Sequence, residues 1–377
     1  MRIGVPAESR DGEYRVAATP ETIKKLITAG HTVVVQNGAG VRASIPDADL
    51  IAAGATVAPD AEAVYASADL ILRVRAPQDA ELGWLEPRHI LIGMLNRFDA
   101  AGLAALAARG VSAFALEAAP RISRAQSLDV LSSQANVAGY KAVLLAANAY
   151  GRLMPMLMTA AGTIKAARVV VMGVGVAGLQ AIATAKRLGA VVEATDVRPE
   201  TKEQVESLGA KFIEVPLTDA ERELARGQGG YAREMGDDYR ARQAALVAER
   251  IRAADIVITT ALIPGRPAPV LVTEDMVRSM RAGSVIVDMA AEQGGNCPLT
   301  ERDAVVVRHG VTLIGYTNIP SLVAADASAL YARNLLDFLR LVIAKDGSFN
   351  LNLDDEIVAA CLVARDGAIV DNRGVKS

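Results

Sequence analysis

Gly173, Gly175 and Gly178 follow a β-branched run, Val169-Val170-Val171-Met172, and lead into the amphipathic stretch LQAIATAKRLG. In that setting G-x-G-x-x-G is a dinucleotide fingerprint. The first glycine permits a tight turn, the second lets the backbone approach a pyrophosphate, and the third lets strand and helix pack closely. The helix that follows would point free N–H groups and the positive end of its dipole at the phosphates. A lone triplet is a weak signal. Here a second run, AVVEATD, ends in Asp196, 18 residues past Gly178. A carboxylate there accepts hydrogen bonds from a ribose 2′-hydroxyl and repels a 2′-phosphate, which favours NAD(H) over NADP(H). Val197 and Arg198 follow it, and the arginine weakens that selectivity.

A second constellation runs from Arg121 to Gln134, RISRAQSLDVLSSQ. Gln126, Asp129 and Ser132 recur every three residues, so on a helix they share a face. Arg121 and Arg124 come just before. A stripe of Gln, Asp and Ser suits a carboxamide and ribose hydroxyls, and would serve equally as a capped polar helix start.

The elements that must position these residues are legible as alternation. MRIGVP, TVVVQ, LILRV, ILIGML and SAFAL read as strands, with Ala-rich helical stretches between them, and Gly30, Gly54 and Gly110 stand where helices end. A second block reads the same way: RVVVMG, AVVEATD, AKFIEV, DIVITT, SVIVDM and VTLIGY. Strands alternating with helices predict βαβ units and parallel sheets. Helical periodicity over 126–150 and 325–345 predicts two long helices crossing between the blocks. The expected fold is α/β: two Rossmann-like domains with parallel doubly wound sheets, joined by long helices. The first domain would hold residues 1–128 and 327–377, and the second, NAD(H)-binding domain 129–326. The polar, glycine-containing stretch 216–243 breaks the rhythm and is expected to be a mobile loop or a plain surface insertion.

Bulk properties narrow the function. The 377 residues carry a net charge of −3, which supplies no basic patch for nucleic acid and no polybasic membrane anchor. The uncharged stretch Val169–Ala185 is short of the roughly 20 apolar residues of a membrane span, and glycines interrupt it. Cys297 and Cys361 make neither a disulfide framework nor a metal cluster, and are expected as small buried hydrophobes. No metal is expected. The opening MRIGVPAE lacks a secretory leader, so a cytoplasmic setting is expected.

The run 121–134, together with GVGVAGLQAIATAKRLGAVVEATDVR, GGYAREM, TTALIPGRPAPVLVT, VIVDMAAEQGGNC and GYTNIP, resembles the NAD(H)-binding component of proton-translocating nicotinamide nucleotide transhydrogenase. The resemblance covers essentially the whole chain, and the family is similar in fold to alanine dehydrogenase. It implies that Arg121, Gln126, Asp129 and Ser132 surround the nicotinamide. Gly175, Val176 and Ala177 would hold the pyrophosphate, Asp196 the adenosine ribose, and Thr260 and Ala261 would line the adenosine side. Tyr231, in GGYAREM, would sit in the loop that closes over the nucleotide.

Alanine dehydrogenase is the rival reading. Oxidising an amino acid needs a proton acceptor, because the amine loses a proton as the hydride leaves. In that family a lysine and a histidine do this work. The matching stretches here are LRVRAPQD and GMLNRFD, so Arg75 and Asn96 stand in their places. Arginine stays protonated and asparagine does not titrate. His31, His89 and His309 read as surface or capping residues. A chain that binds NAD(H) without an acid–base pair fits direct hydride transfer to NADP⁺ held by a partner subunit, with the membrane-spanning part on a separate polypeptide. The expected protein is a homodimer attached peripherally to that membrane complex. A free-standing amino-acid dehydrogenase and a non-enzymatic NAD-binding regulator remain the alternatives.

Overall fold

A computed structural model of the chain describes residues 1–198, 200–215 and 237–370. Contacts divide it into two compact units, Met1–Gln134 with Pro320–Ser377, and Ala135–Ile319.

The first unit holds β1 (Arg2–Val5), β2 (Thr32–Gln36), β3 (Thr56–Ala58), β4 (Leu70–Arg75), β5 (Ile90–Met94) and β6 (Ser112–Ala115). These six pair in parallel in the order β6-β5-β4-β1-β2-β3. Alternation along each strand splits the core between two faces. Leu70, Leu72 and Val74 pack with Tyr331, Leu335 and Phe338 of the helix Ala324–Val342, whereas Ile71 and Leu91 pack with Leu103 and Leu106 of the helix Ala100–Ala108. Helices on both faces explain why the strand sequences are largely apolar, Arg73 in β4 being the buried exception.

The second unit repeats the plan. A small hairpin, β7 (Leu157–Thr159) with β8 (Gly162–Ile164), precedes β9 (Arg168–Met172), β10 (Val191–Thr195), β11 (Lys211–Phe212), β12 (Ile256–Thr259), β13 (Val285–Asp288), β14 (Val305–Arg308) and β15 (Val311–Ile314). The sheet order is β11-β10-β9-β12-β13-β15-β14. Val169 and Val171 face the helices Val130–Ala149 and Val176–Arg187, while Val170 and Met172 face Val247 and Ile251 of the helix Asp237–Ala253. In both units the chain winds outward from the first strand and returns on its other side. The strand order therefore reverses beside β1 and beside β9, and such reversals open a crevice at the C-terminal ends of the strands.

Several expectations are corrected. Each sheet carries antiparallel edges: β16 (Leu362–Arg365) on β6, β17 (Ala368–Ile369) on β16, and β14 on β15. β3 has three residues, too few for a periodic signal, and β14 is largely solvated, unlike the buried strands beside it. The single helix expected over 126–150 is a 3₁₀ turn, Ser123–Leu128, an extended Asp129, and a helix from Val130 to Ala149. The helix expected over 325–345 runs from Ala324 to Val342. Of AKFIEV only Lys211 and Phe212 form a strand. The stretch 216–243 lies largely outside the described residues, but from Asp237 it belongs to a helix. Among the described residues no helix is long and apolar enough to cross a membrane.

Candidate functional site

The reversal beside β9 brings the ends of β9 and β12 together. Gly173 follows β9 at φ +98°, in the left-handed region that favours glycine. Any Cβ there would lie 2.5 Å from Thr260 Oγ1, and a Cβ on Gly178 would lie 2.0 Å from the Gly173 carbonyl oxygen. These two glycines are packing requirements of the turn. Gly175 differs: a Cβ on it would meet nothing within 4 Å. Open space lies there beside the first turn of the helix Val176–Arg187, whose leading N–H groups have no partners within the helix. Lys186 and Arg187 stand at its other end, where the dipole is negative. Val176 is exposed, Ala177 half-buried and Gly178 buried. The arrangement offers an anion a seat made of backbone donors.

Asp196, just past β10, closes one side. Its Oδ2 accepts the Val174 N–H at 2.6 Å, and its Oδ1 accepts the Arg198 N–H at 2.9 Å. The Arg198 guanidinium spans both oxygens, with Nε to Oδ1 and Nη2 to Oδ2 each at 3.0 Å. Burial pushes the carboxyl up, but the guanidinium and the two amides outweigh it and hold the group below the usual carboxylate range. Val197 is 90% exposed and Arg198 half-exposed, so both face solvent beside the turn. On the other side, Thr260 donates its hydroxyl to the Gly173 carbonyl at 3.0 Å, and the Ala261 N–H donates to Asn296 Oδ1 at 3.2 Å. The sequence reading brought Gly173, Gly175, Val176, Ala177, Gly178, Asp196, Val197, Arg198, Thr260 and Ala261 to one place, and the structure does so too. Tyr231 lies outside the described residues.

The polar constellation of the first unit folds differently from the single face expected. Asp129 is extended at ψ +91° and caps the helix after it. Its Oδ1 accepts the Ser132 N–H at 2.9 Å and its Oδ2 the Ser132 hydroxyl at 2.6 Å. Such a cap contributes about 1 kcal/mol and explains the break. Gln126 sits one turn earlier in the 3₁₀ segment, and both it and Arg121 are exposed. Arg124 is tied down by Asp355, with Nη2 to Oδ1 at 3.1 Å. Asn334 holds the segment from beneath: its Nδ2 donates to the Ser127 carbonyl at 2.8 Å and its Oδ1 accepts the Ser133 hydroxyl at 2.7 Å. Nothing in the spacing of the sequence marked Asn334, because its partner is more than two hundred residues away.

The reversal beside β1 carries a buried ion network instead. Glu8 Oε1 accepts the Val74 N–H at 2.7 Å and Oε2 the Arg75 N–H at 3.2 Å, and the fully buried Arg73 lies against the same carboxylate at 3.2 Å. Arg15, also buried, pairs with Glu13 through Nε at 2.7 Å and Nη2 at 2.6 Å, and donates to Gln134 at 2.7 Å. Arg75 Nε lies 3.5 Å from Glu13 Oε2. Asn96 is exposed in a turn at φ +60°. Sequence reading missed this buried network, since scattered Glu and Arg look like surface residues.

The histidines also need correction, since two are buried. His89 accepts the Glu86 N–H at Nδ1, 2.9 Å, and faces the Tyr65 carbonyl with Nε2 at 3.0 Å. Burial and the neighbouring Arg88 push its pKa down, and burial with the chain's amino terminus does the same for His31. His309 pairs with Glu274 at 3.1 Å. Cys297 and Cys361 are buried, as expected.

Set against known proteins, the chain matches two family descriptions that together span nearly all of it. These are Alanine dehydrogenase/PNT, N-terminal domain, over residues 4–138, and Alanine dehydrogenase/PNT, C-terminal domain, over residues 142–372. It is 54% identical over 377 residues to the first part of NAD(P) transhydrogenase subunit alpha of Rhodospirillum rubrum, covering 98% of each. It is 31% identical over 379 residues to an alanine dehydrogenase of Halomonas elongata, covering 98% of this chain and 94% of that one. The crystal structure of transhydrogenase from Sinorhizobium meliloti matches with a TM-score of 0.89 at 48% identity, covering 98% of this chain and 100% of that one.

Proposed function

This chain belongs to the alanine dehydrogenase/PNT family, and from that premise we propose that it is the NAD(H)-binding subunit of a proton-translocating transhydrogenase. It is an oxidoreductase whose relatives at 44–54% identity over nearly the full chain carry the transhydrogenase name. In this reading NADH gives a hydride to NADP⁺ held by a partner subunit. The observation that carries it is a formed phosphate turn with Asp196 beside it, in a chain with arginine and asparagine where an amino-acid dehydrogenase needs groups that move protons.

The chemistry requires little else from this chain. C4 of the dihydronicotinamide releases a hydride with its electron pair, C4 of the acceptor ring receives it, and no proton is produced. Positioning is then the main requirement, with reacting carbons about 3–3.5 Å apart. The backbone donors at Gly175, Val176 and Ala177 would hold the pyrophosphate, and Asp196 the adenosine ribose. Gln126, Asp129, Ser132 and Arg121 would attend the nicotinamide. Because Ser132 uses both oxygens of Asp129, Asp129 positions Ser132 and the start of its helix, leaving the exposed Gln126 and Arg121 for direct contact. The chain would act as a homodimer, peripheral to a membrane complex whose other subunits bind NADP(H) and move protons.

Alanine dehydrogenases share the family, so the amino-acid reaction is the second possibility. It needs a base, and Arg75 lies against Glu13 while Asn96 sits in a turn. One mixture separates the two. The chain is combined with NADH, an NADP analogue and an NADP(H)-binding transhydrogenase domain, and in parallel with NAD⁺ and L-alanine. Analogue reduction only when the partner domain is present is expected. NAD⁺ reduction by alanine alone would refute the proposal.

A further inference from the structure

Asn296 is fully buried and spends its side chain on backbone. Its Oδ1 accepts the Ala261 N–H at 3.2 Å, and its Nδ2 donates to the carbonyls of Ala261 at 2.9 Å and Pro269 at 2.7 Å. A side-chain amide that pairs with both polar groups of one residue replaces the neighbouring strand this segment lacks. The main chain of Asn296 ties down the far end as well, accepting the N–H groups of Leu271 at 2.8 Å and Val272 at 3.1 Å. One residue thus clasps both ends of the segment after β12. The near end of that segment lies against the phosphate turn: a Cβ on Gly173 would come within 3.3 Å of the Ala261 nitrogen.

Asn296 is itself held in place. The fully buried Asp288, at the end of β13, accepts N–H groups from Ala290 and Cys297, each at 3.0 Å. It also accepts the hydroxyls of Thr259 at 3.1 Å and Thr300 at 2.8 Å. Gly295, at φ +84°, passes so close that a Cβ would lie 2.7 Å from Asp288 Oδ2. The loop that presents Asn296 is therefore bound to the same sheet that carries the phosphate turn.

We propose that Asn296 is a positioning residue for the dinucleotide site, holding Ala261 beside Gly173 before any nucleotide arrives so that the adenosine end meets a preformed seat. This rests on the dinucleotide reading above. Asn296→Ala removes the clasp. Asn296→Asp keeps an acceptor for the Ala261 N–H but turns a carboxylate on two carbonyl oxygens. Both variants should raise the Kd for NADH at least tenfold and the Kd for AMP by the same factor, with hydride transfer at saturating NADH within twofold of the parent. AMP carries no nicotinamide, so an equal factor places the effect at the adenosine end. Unchanged affinities, or a loss of turnover at unchanged AMP affinity, overturn the proposal. A measurement on the unaltered chain covers variants that fail to fold. The Ala261 amide should resist hydrogen exchange without nucleotide, and free exchange there also overturns it. Should the unaltered chain bind neither NADH nor AMP, the dinucleotide reading itself fails, a result distinct from binding that Asn296 does not influence.

Discussion

Asp196 and Arg198 are spoken for by each other before any ribose is present, and that pairing bears on nucleotide choice. A carboxylate alone would repel a 2′-phosphate by about 4 kcal/mol per charge at 4 Å near a surface. The guanidinium spanning both Asp196 oxygens cancels much of that field. Arg198→Ala should therefore make NADPH binding worse while leaving NADH less affected, raising the ratio of the two dissociation constants at least tenfold in equilibrium titrations. An unchanged ratio would remove Arg198 from the selectivity. The pair also fixes a pH window. The folded Asp196 value lies below the ordinary one, so its contribution to stability is complete above about pH 4 and disappears as pH falls through the folded value. NADH affinity should stay flat between pH 8 and 5 as far as this group is concerned. Asp196 was legible from its spacing to Gly178. The arginine's grip was not, because no rule of spacing says which of two adjacent charges turns inward.

Glycines show at the element scale why helix position matters. Gly139 lies inside the helix Val130–Ala149, where alanine ordinarily gains roughly 1 kcal/mol. Here a Cβ would lie 2.1 Å from the Ala177 carbonyl oxygen at the start of the helix Val176–Arg187. Forcing those helices apart costs about 1–3 kcal/mol, so the sign should reverse. Gly139→Ala should lower the urea midpoint and weaken NADH binding together. A raised midpoint would show the approach to be slack. Helix propensity alone marks Gly139 as a weak point, since propensity sees one element at a time and this contact belongs to two. The same limit explains the misread start of that helix. Gln126, Asp129 and Ser132 have a period of three, which a 3₁₀ turn followed by a capped helix satisfies as well as one continuous helix. The strands β9, β12 and β13 were legible as largely buried β-branched runs, and β10 and β15 as mostly buried, largely apolar ones.

Two sheets of the same winding serve two different ends across the molecule. Space beside β9 is open above Gly175, whereas the reversal beside β1 carries Glu8 bound to the β4 backbone and to the buried Arg73. The ion network beside β1 could not be read from the sequence, as it joins residues some 65 positions apart. Removing one member of such a network leaves a buried charge unpaired and costs about 3–5 kcal/mol, so its residues are poor probes of function. In the function proposed above, this chain passes a hydride directly to a second nucleotide and handles no proton. Deuterium at the transferred C4 position of NADH, followed by mass spectrometry of the reduced NADP analogue after reaction with an NADP(H)-binding partner in ordinary water, tests that claim most directly. Each reduced analogue should carry one deuterium from NADH, with none of its new C4–H bonds drawn from solvent. A product bearing solvent hydrogen at that position would contradict it.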